Sequence, residues 1–236
     1  MFKREIYTND TLKITEHNNI FTIEFEHPNP LIIESLIKTH IIPGAASLDD
    51  YKTIKFKANK VQTFIQYQEE QKRRTGSPKL RINDTTCMVA TLTAQLNYLI
   101  AIKSHAILDY TAKNILVIND SKFVCICSEL LTEIENDQML ISCPFTETDF
   151  FVSPEMLKIK DLPSYVHYKA AYFSLGCLII YALLGDTEFY DEYLKEKEVD
   201  KMTEYFKNHA IKDTKLFWLL SRCLVEDPLK RSIIYL

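Results

Sequence analysis

Apolar and polar residues alternate over the first part of the chain and fall into helical spacing over the rest. Thr11–Thr15 and Phe21–Phe25 alternate in strand fashion on either side of a turn-forming cluster, Glu16-His17-Asn18-Asn19. Pro30–Thr39 predicts a short helix, with Asn29 as its cap and Pro30 in its first turn. After the Pro43-Gly44 break, Thr53–Lys57 and Val61–Tyr67 predict two more strands. Gln68–Asp84 is polar and holds Gly76-Ser77-Pro78, which predicts a junction between lobes. From Thr86 onward Met88, Leu92, Leu96, Leu99 and Ile102 keep a helical rhythm as far as Lys103. Short strands are expected around Ile115–Ile118 and Phe123–Ile126, then a polar stretch leading to Ser153-Pro154-Glu155. Further helices are expected at Tyr168–Leu184, Asp191–Asn208 and Lys215–Val225. The expectation is one α+β domain: a small β-rich lobe over residues 1–68, a linker over 69–85 and a larger helical lobe over 86–236.

With 236 residues, 47% hydrophobic and 25% charged, the chain can bury a sizeable core. A net charge of -4 argues against nucleic acid as a partner, because neutralising phosphates needs clustered Lys and Arg. The one compact basic run, Lys72-Arg73-Arg74, follows Glu69-Glu70 and reads as a solvated loop or helix end. Polar residues follow Met1-Phe2-Lys3-Arg4-Glu5, and the apolar run Cys177–Leu184 is far shorter than the ~20 residues of a bilayer span. A cytoplasmic or nucleocytoplasmic protein without a membrane partner is therefore expected. The six cysteines are scattered, and Cys125 with Cys127 alternates on a predicted strand, which is not a zinc spacing. Buried, reduced thiols and no metal are expected. Heavy use of Ile, Asn, Lys and Tyr fits an AT-rich genome, as in a large DNA virus or an AT-rich microbe.

Four segments carry recognisable chemistry. Leu108-Asp109-Tyr110-Thr111-Ala112-Lys113-Asn114 closes the long apolar helix and runs into Ile115-Leu116-Val117. Phe151-Val152-Ser153-Pro154-Glu155 comes next, then Tyr172-Phe173-Ser174-Leu175-Gly176 at the head of an apolar helix. Cys223-Leu224-Val225-Glu226-Asp227-Pro228-Leu229-Lys230-Arg231 lies near the end. In this order the four resemble the catalytic loop, the Ala-Pro-Glu element, the start of the central helix and the last-helix signature of the protein kinases. The resemblance covers roughly Thr86 to Leu236. It implies a protein-kinase-like fold with Pro30–Thr39 as the regulatory helix, Thr53–Lys57 and Val61–Tyr67 as the last small-lobe strands, and Tyr67–Glu70 as hinge. A rival register makes Glu26-His27-Pro28-Asn29 the turn before the fourth strand, but forces a long insert before Thr86.

Kinase chemistry needs a glycine-rich phosphate cradle, a Lys held by a helix Glu, and magnesium carried by an Asp and an Asn. The four glycines, Gly44, Gly76, Gly176 and Gly185, all lie outside the expected first strand pair, whose turn is Glu16–Asn19. Lys55 is a weak candidate for the phosphates and reads better as a solvent-facing strand residue. Glu34 takes the helix-Glu position with no lysine in place to meet it. The position of the Asp-Phe-Gly motif falls on Cys127-Ser128-Glu129, where thiol replaces a hard carboxylate and Glu129 is a weak magnesium candidate. Ile107 and Leu108 replace the usual His and Arg before the catalytic Asp, His105 reads as a helix-end histidine, and Ala171 replaces the Asp that braces the loop. Glu155 and Arg231, the family's structural ion bridge, are both present.

The resemblance thus implies a pseudokinase in which Asp109 and Asn114 are vestigial and satisfy the loop backbone. It would bind no cofactor and would act on a protein partner, an active kinase or its substrate, as decoy, allosteric partner or scaffold. One alternative is an atypical active Ser/Thr kinase, with Asp109 as base, Asn114 and Glu129 on Mg, and Lys55 on the ATP phosphates. Another is a nucleotide-independent peptide-binding module on the helical lobe, around Asp191–Asn208.

Overall fold

A computed structural model of the chain describes residues 4–47, 51–126, 130–146, 151–207 and 210–233. Strands β1 (Arg4–Thr8), β2 (Leu12–His17) and β3 (Ile20–Phe25) are followed by helix α1 (Pro30–Lys38) and strands β4 (Ala46–Ser47) and β5 (Thr53–Lys57). The strands form an antiparallel sheet in the order β1-β2-β3-β5-β4. The period of two puts Ile14, Ile23 and Ile54 directly opposite one another, and pairs Phe21 with Phe56 and Leu12 with Phe25. This face shares one core with Ile32, Ile33 and Leu36 of α1, while Lys13, Glu24 and Lys55 point to solvent. Asn29 caps α1 by accepting from the Ile32 N–H.

Two expectations for this region change. Strand β1 was not anticipated, so the first hairpin turn is Thr8–Leu12, closed by Asn9 Oδ1 accepting from Thr11 N (3.1 Å) and Leu12 N (2.8 Å). Glu16 and His17 belong to β2, and the next turn is only Asn18-Asn19, with φ of 53° and 61°. Asn tolerates this left-handed pair, which matches the twist of a two-residue hairpin.

Strand β6 (Val61–Thr63) leaves the N-terminal sheet, and helix α2 (Phe64–Thr75) starts directly after it. Val61–Tyr67 is therefore not one strand, and Tyr67–Glu70 is not an extended hinge. The reason is a capping box, in which Thr63 Oγ1 accepts from Gln66 N and Gln66 Oε1 accepts from Thr63 N. The expected 69–85 linker is largely helical, since α2 runs to Gly76 (φ 80°) and α3 (Ile82–Lys103) begins soon after.

Past α3 come β7 (His105–Ile107), a 3-10 turn at Ala112–Asn114, β8 (Ile115–Ile118) and β9 (Lys122–Cys125). His105 opens β7 directly after Ser104, the C-cap of α3, and its Nδ1 lies 2.6 Å from the carbonyl of Lys103, the last residue of that helix. The hairpin β8–β9 forms a three-stranded sheet with β6. Strands β10 (Leu131–Glu135), β11 (Gln138–Ile141) and β12 (Ser164–His167) join β7 in a further sheet, with the short helix α4 (Pro154–Leu157) between β11 and β12 in the chain. The stretch expected only to be polar thus contains the β10–β11 hairpin, whose turn is Asn136-Asp137, both left-handed.

Helix α5 (Ala170–Leu184) is buried almost all round, and packs with α3 at the centre of the helical part. The expected single helix at Asp191–Asn208 is two, α6 (Glu188–Glu196) and α7 (Val199–Lys207), separated at left-handed Lys197. Helix α8 (Lys215–Cys223) follows, capped by Thr214. Among the described residues α3 is the one helix long and apolar enough to cross a membrane, and half of its most apolar window is buried inside the fold. The thiols Cys125, Cys177 and Cys223 are buried, but Cys87 and Cys143 are exposed, against the expectation of burial. Cys127 lies outside the described residues.

Candidate functional site

The loop between β7 and β8 is held from both sides. The Leu108 N–H donates to the Leu130 carbonyl (3.1 Å), and the Ile126 N–H donates to the Asn114 carbonyl (2.9 Å). Within the loop, Asn114 Nδ2 donates to Asp109 Oδ2 at 2.6 Å and to the Asp109 carbonyl at 3.3 Å. The structure brings Asp109 and Asn114 together, with the amide of one committed to the other. Leu108 and Tyr110, on either side of Asp109 in the chain, are buried, and so is Ala171 in the first turn of α5. Desolvation raises the Tyr110 phenol well above its usual pKa.

The other candidates fall elsewhere. Lys55 sits mid-strand on β5, opposite Thr22 and Ala46, on the solvent face of the sheet. Glu34 does have a partner, contrary to expectation: it forms an ion pair with Lys103 at the end of α3. That hydrogen bond, ahead of the opposing desolvation, raises the Lys103 pKa. Cys127-Ser128-Glu129 lies outside the described residues, so Glu129 receives no placement. Among the described residues no group of three or more His, Cys, Asp or Glu is disposed to hold a metal ion.

A cavity of about 510 Å³ opens between the edge strand β1, the Asn18-Asn19 turn and the segment leading from β5 into α2. Its lining is mostly polar, including Arg4, Glu5, Glu16, Lys60, Gln62 and Gln66. Backbone donors along this segment are already engaged. The Ala58 N–H donates to the Asn19 carbonyl (3.1 Å), and the Asn59 and Lys60 N–H groups donate to Asn119 Oδ1 (2.8 and 3.2 Å). Lys60 ion-pairs with Glu70 and with Asp120 (3.3 Å). The Lys60 hydrogen bond lowers the Glu70 pKa, outweighing desolvation.

Glu155 and Arg231 meet in a bidentate pair, Nη1 to Oε1 at 2.6 Å and Nη2 to Oε2 at 2.7 Å. Arg231 is fully buried, and its other donors reach the carbonyls of Val225 (2.6 Å), Lys169 (3.2 Å) and Glu226 (2.8 Å). The guanidinium also lies 5.1 Å from the Phe173 ring centroid. All five N–H donors of the fork are in use.

Gln95, Lys103 and Asn119 escaped sequence reasoning. Gln95 and Lys103 leave no local signal, because their partners are distant in the chain. Asn119-Asp120 does leave one, a turn-forming pair between two apolar strands. No protein-family model matches the chain, and no curated protein matches it.

Proposed function

We propose that the chain is a pseudokinase: a protein-kinase-like scaffold without phosphotransfer, working by binding another protein, an active kinase or its substrate. The ion pair between Glu34 and Lys103 carries this reading. In the kinases the equivalent Glu holds a third-strand Lys against the phosphates. Strand β3 contains no lysine, and the Glu34 carboxylate is given instead to a cation on α3. The turn of the first strand pair supports the same reading, since it carries Asn9 and Asp10 without glycine, and an Asp10 carboxylate would repel a triphosphate. The bond from Asn114 to Asp109 further suits a loop that stabilises itself. The satisfied Glu155–Arg231 pair fits a fold whose architecture persists. An active Ser/Thr kinase would need Lys55 at the phosphates, and its place on the solvent face of β5 argues against that.

The test is a thermal-shift titration with ATP and magnesium, since only a ligand that binds the native state raises the melting temperature. The expected result is an unchanged melting temperature and no phosphate transfer to generic protein substrates. A magnesium-dependent rise that Asn114→Ala abolishes would overturn the reading.

A further inference from the structure

Trp218 is the sole tryptophan of the chain, and it is 53% exposed on α8. Single exposed apolar side chains are ordinary on a protein surface, but an indole offers a large apolar face whose burial by a partner is favourable. The conformation of Trp218 is supported from below. Buried Phe206 packs edge-to-face with Phe217 at 5.6 Å, and Phe217 with Trp218 at 5.5 Å, a ladder of rings running from core to surface. An aromatic side chain braced in this way loses little freedom when a partner covers it.

Along α8 itself the charge has one sign. Lys215 and Arg222 lie three residues before and four after Trp218, so all three share one side of the helix, and both cations are exposed. Lys212 and Asp213 are both exposed in the preceding turn and offset each other, so the basic pair on the helix is Lys215 and Arg222. Helix α8 contains no acidic residue, and neither Lys215 nor Arg222 has an ion-pair partner among the described residues. On a chain of net charge -4 this is a locally basic face with an aromatic centre. Trp and Arg are the residue types that dominate binding energy at protein interfaces.

We propose that this face of α8 docks an acidic segment of a partner protein, which seats an apolar side chain on Trp218 and sets carboxylates against Lys215 and Arg222. Two cations are too few to hold a nucleic acid, whose affinity comes from many phosphate contacts. The inference deepens the partner-binding half of the proposed function. It is independent of the nucleotide cleft, so an ATP-induced shift would overturn the pseudokinase reading and leave this one standing.

The lone tryptophan makes the test direct. The intact protein is titrated with a synthetic peptide of Glu and Leu, with a Lys and Leu peptide of equal length, and with phosphatidylserine-containing vesicles. Trp218 emission should move to shorter wavelength and saturate with the Glu-Leu peptide alone, and the affinity should fall as salt rises. With a dye-labelled peptide followed by anisotropy, K215E/R222E should weaken binding about tenfold. Trp218→Ala should weaken it about thirtyfold. These positions are exposed, so unchanged circular dichroism and melting temperature would show that the variants fold. An unmoved emission, an equal response to the Lys-Leu peptide, a response to vesicles alone, or full affinity in K215E/R222E would each overturn the proposal.

Discussion

The side chain of Gln95 substitutes for a neighbouring strand along Cys125. Its Oε1 accepts from the Cys125 N–H at 2.9 Å and its Nε2 donates to the Cys125 carbonyl at 2.8 Å. The same Nε2 lies 3.1 Å from Ser35 Oγ, so one fully buried amide ties α1, α3 and β9 together. Cys125 immediately precedes Ile126, whose N–H holds the Asn114 carbonyl, so Gln95 also supports the Asp109–Asn114 loop from behind. Gln95→Leu keeps the bulk and removes these bonds from buried backbone groups, which should reduce stability by about 2–4 kcal/mol. Urea unfolding measures it; a loss below about 0.5 kcal/mol would mean that the strand edge is satisfied in another way.

Glu155→Ala leaves the guanidinium of Arg231 buried beside carbonyls alone, and should destabilise the protein by about 3–5 kcal/mol. Arg231→Lys keeps the charge but has three donors on a single nitrogen where the planar fork uses five. More than half of the Glu155→Ala loss should therefore appear in Arg231→Lys. Denaturant midpoints of the two variants decide this, and a near-neutral lysine variant would show that charge alone suffices.

At the β8–β9 turn, Asn119 combines a left-handed backbone (φ 51°) with two accepted hydrogen bonds from the segment entering β6. Asn119→Gly preserves the backbone freedom and removes only the side-chain acceptor, so it should lower stability by about 1–2 kcal/mol. Amide exchange should quicken at Asn59 and Lys60 before it does in β8. Unchanged protection at those two amides would show that the side chain does not hold the segment.

His167 supplies a pH dependence with a defined sign. Burial, and then the Lys169 charge, lower its pKa from the usual 6.5, against weaker pulls from Asp137 and Glu155. Its Nδ1 accepts from the Lys169 N–H at 3.2 Å, a bond available only to the neutral ring. The unfolded chain therefore takes up this proton more readily than the folded one. The associated stability is present above 6.5 and is lost as pH falls through that value towards the lower folded pKa. Comparing melting temperatures of the native protein and His167→Asn from about pH 8 to about pH 5 isolates the effect, and the variant should lose less on acidification. Parallel curves would reject it.

Several features were legible in the chain because they are governed by neighbouring residues. Asn29-Pro30 starts α1 by a cap and a preset φ, alternation places Ile14, Ile23 and Ile54 on one sheet face, and helical periodicity marks α3 and α5. The capping box of Thr63 and Gln66 was equally local, and an apolar run that resembled a strand concealed it. Other features depended on tertiary structure. Nothing near Glu34 points to Lys103, nothing near Gln95 points to Cys125, and β6 pairs with β8 although α2, α3 and β7 lie between them in the chain. A turn or a cap is closed by groups within a few residues, so its free energy is written in the adjacent side chains. An ion pair or a borrowed strand edge forms only where the packed core brings distant groups together, and no local pattern records which ones will meet.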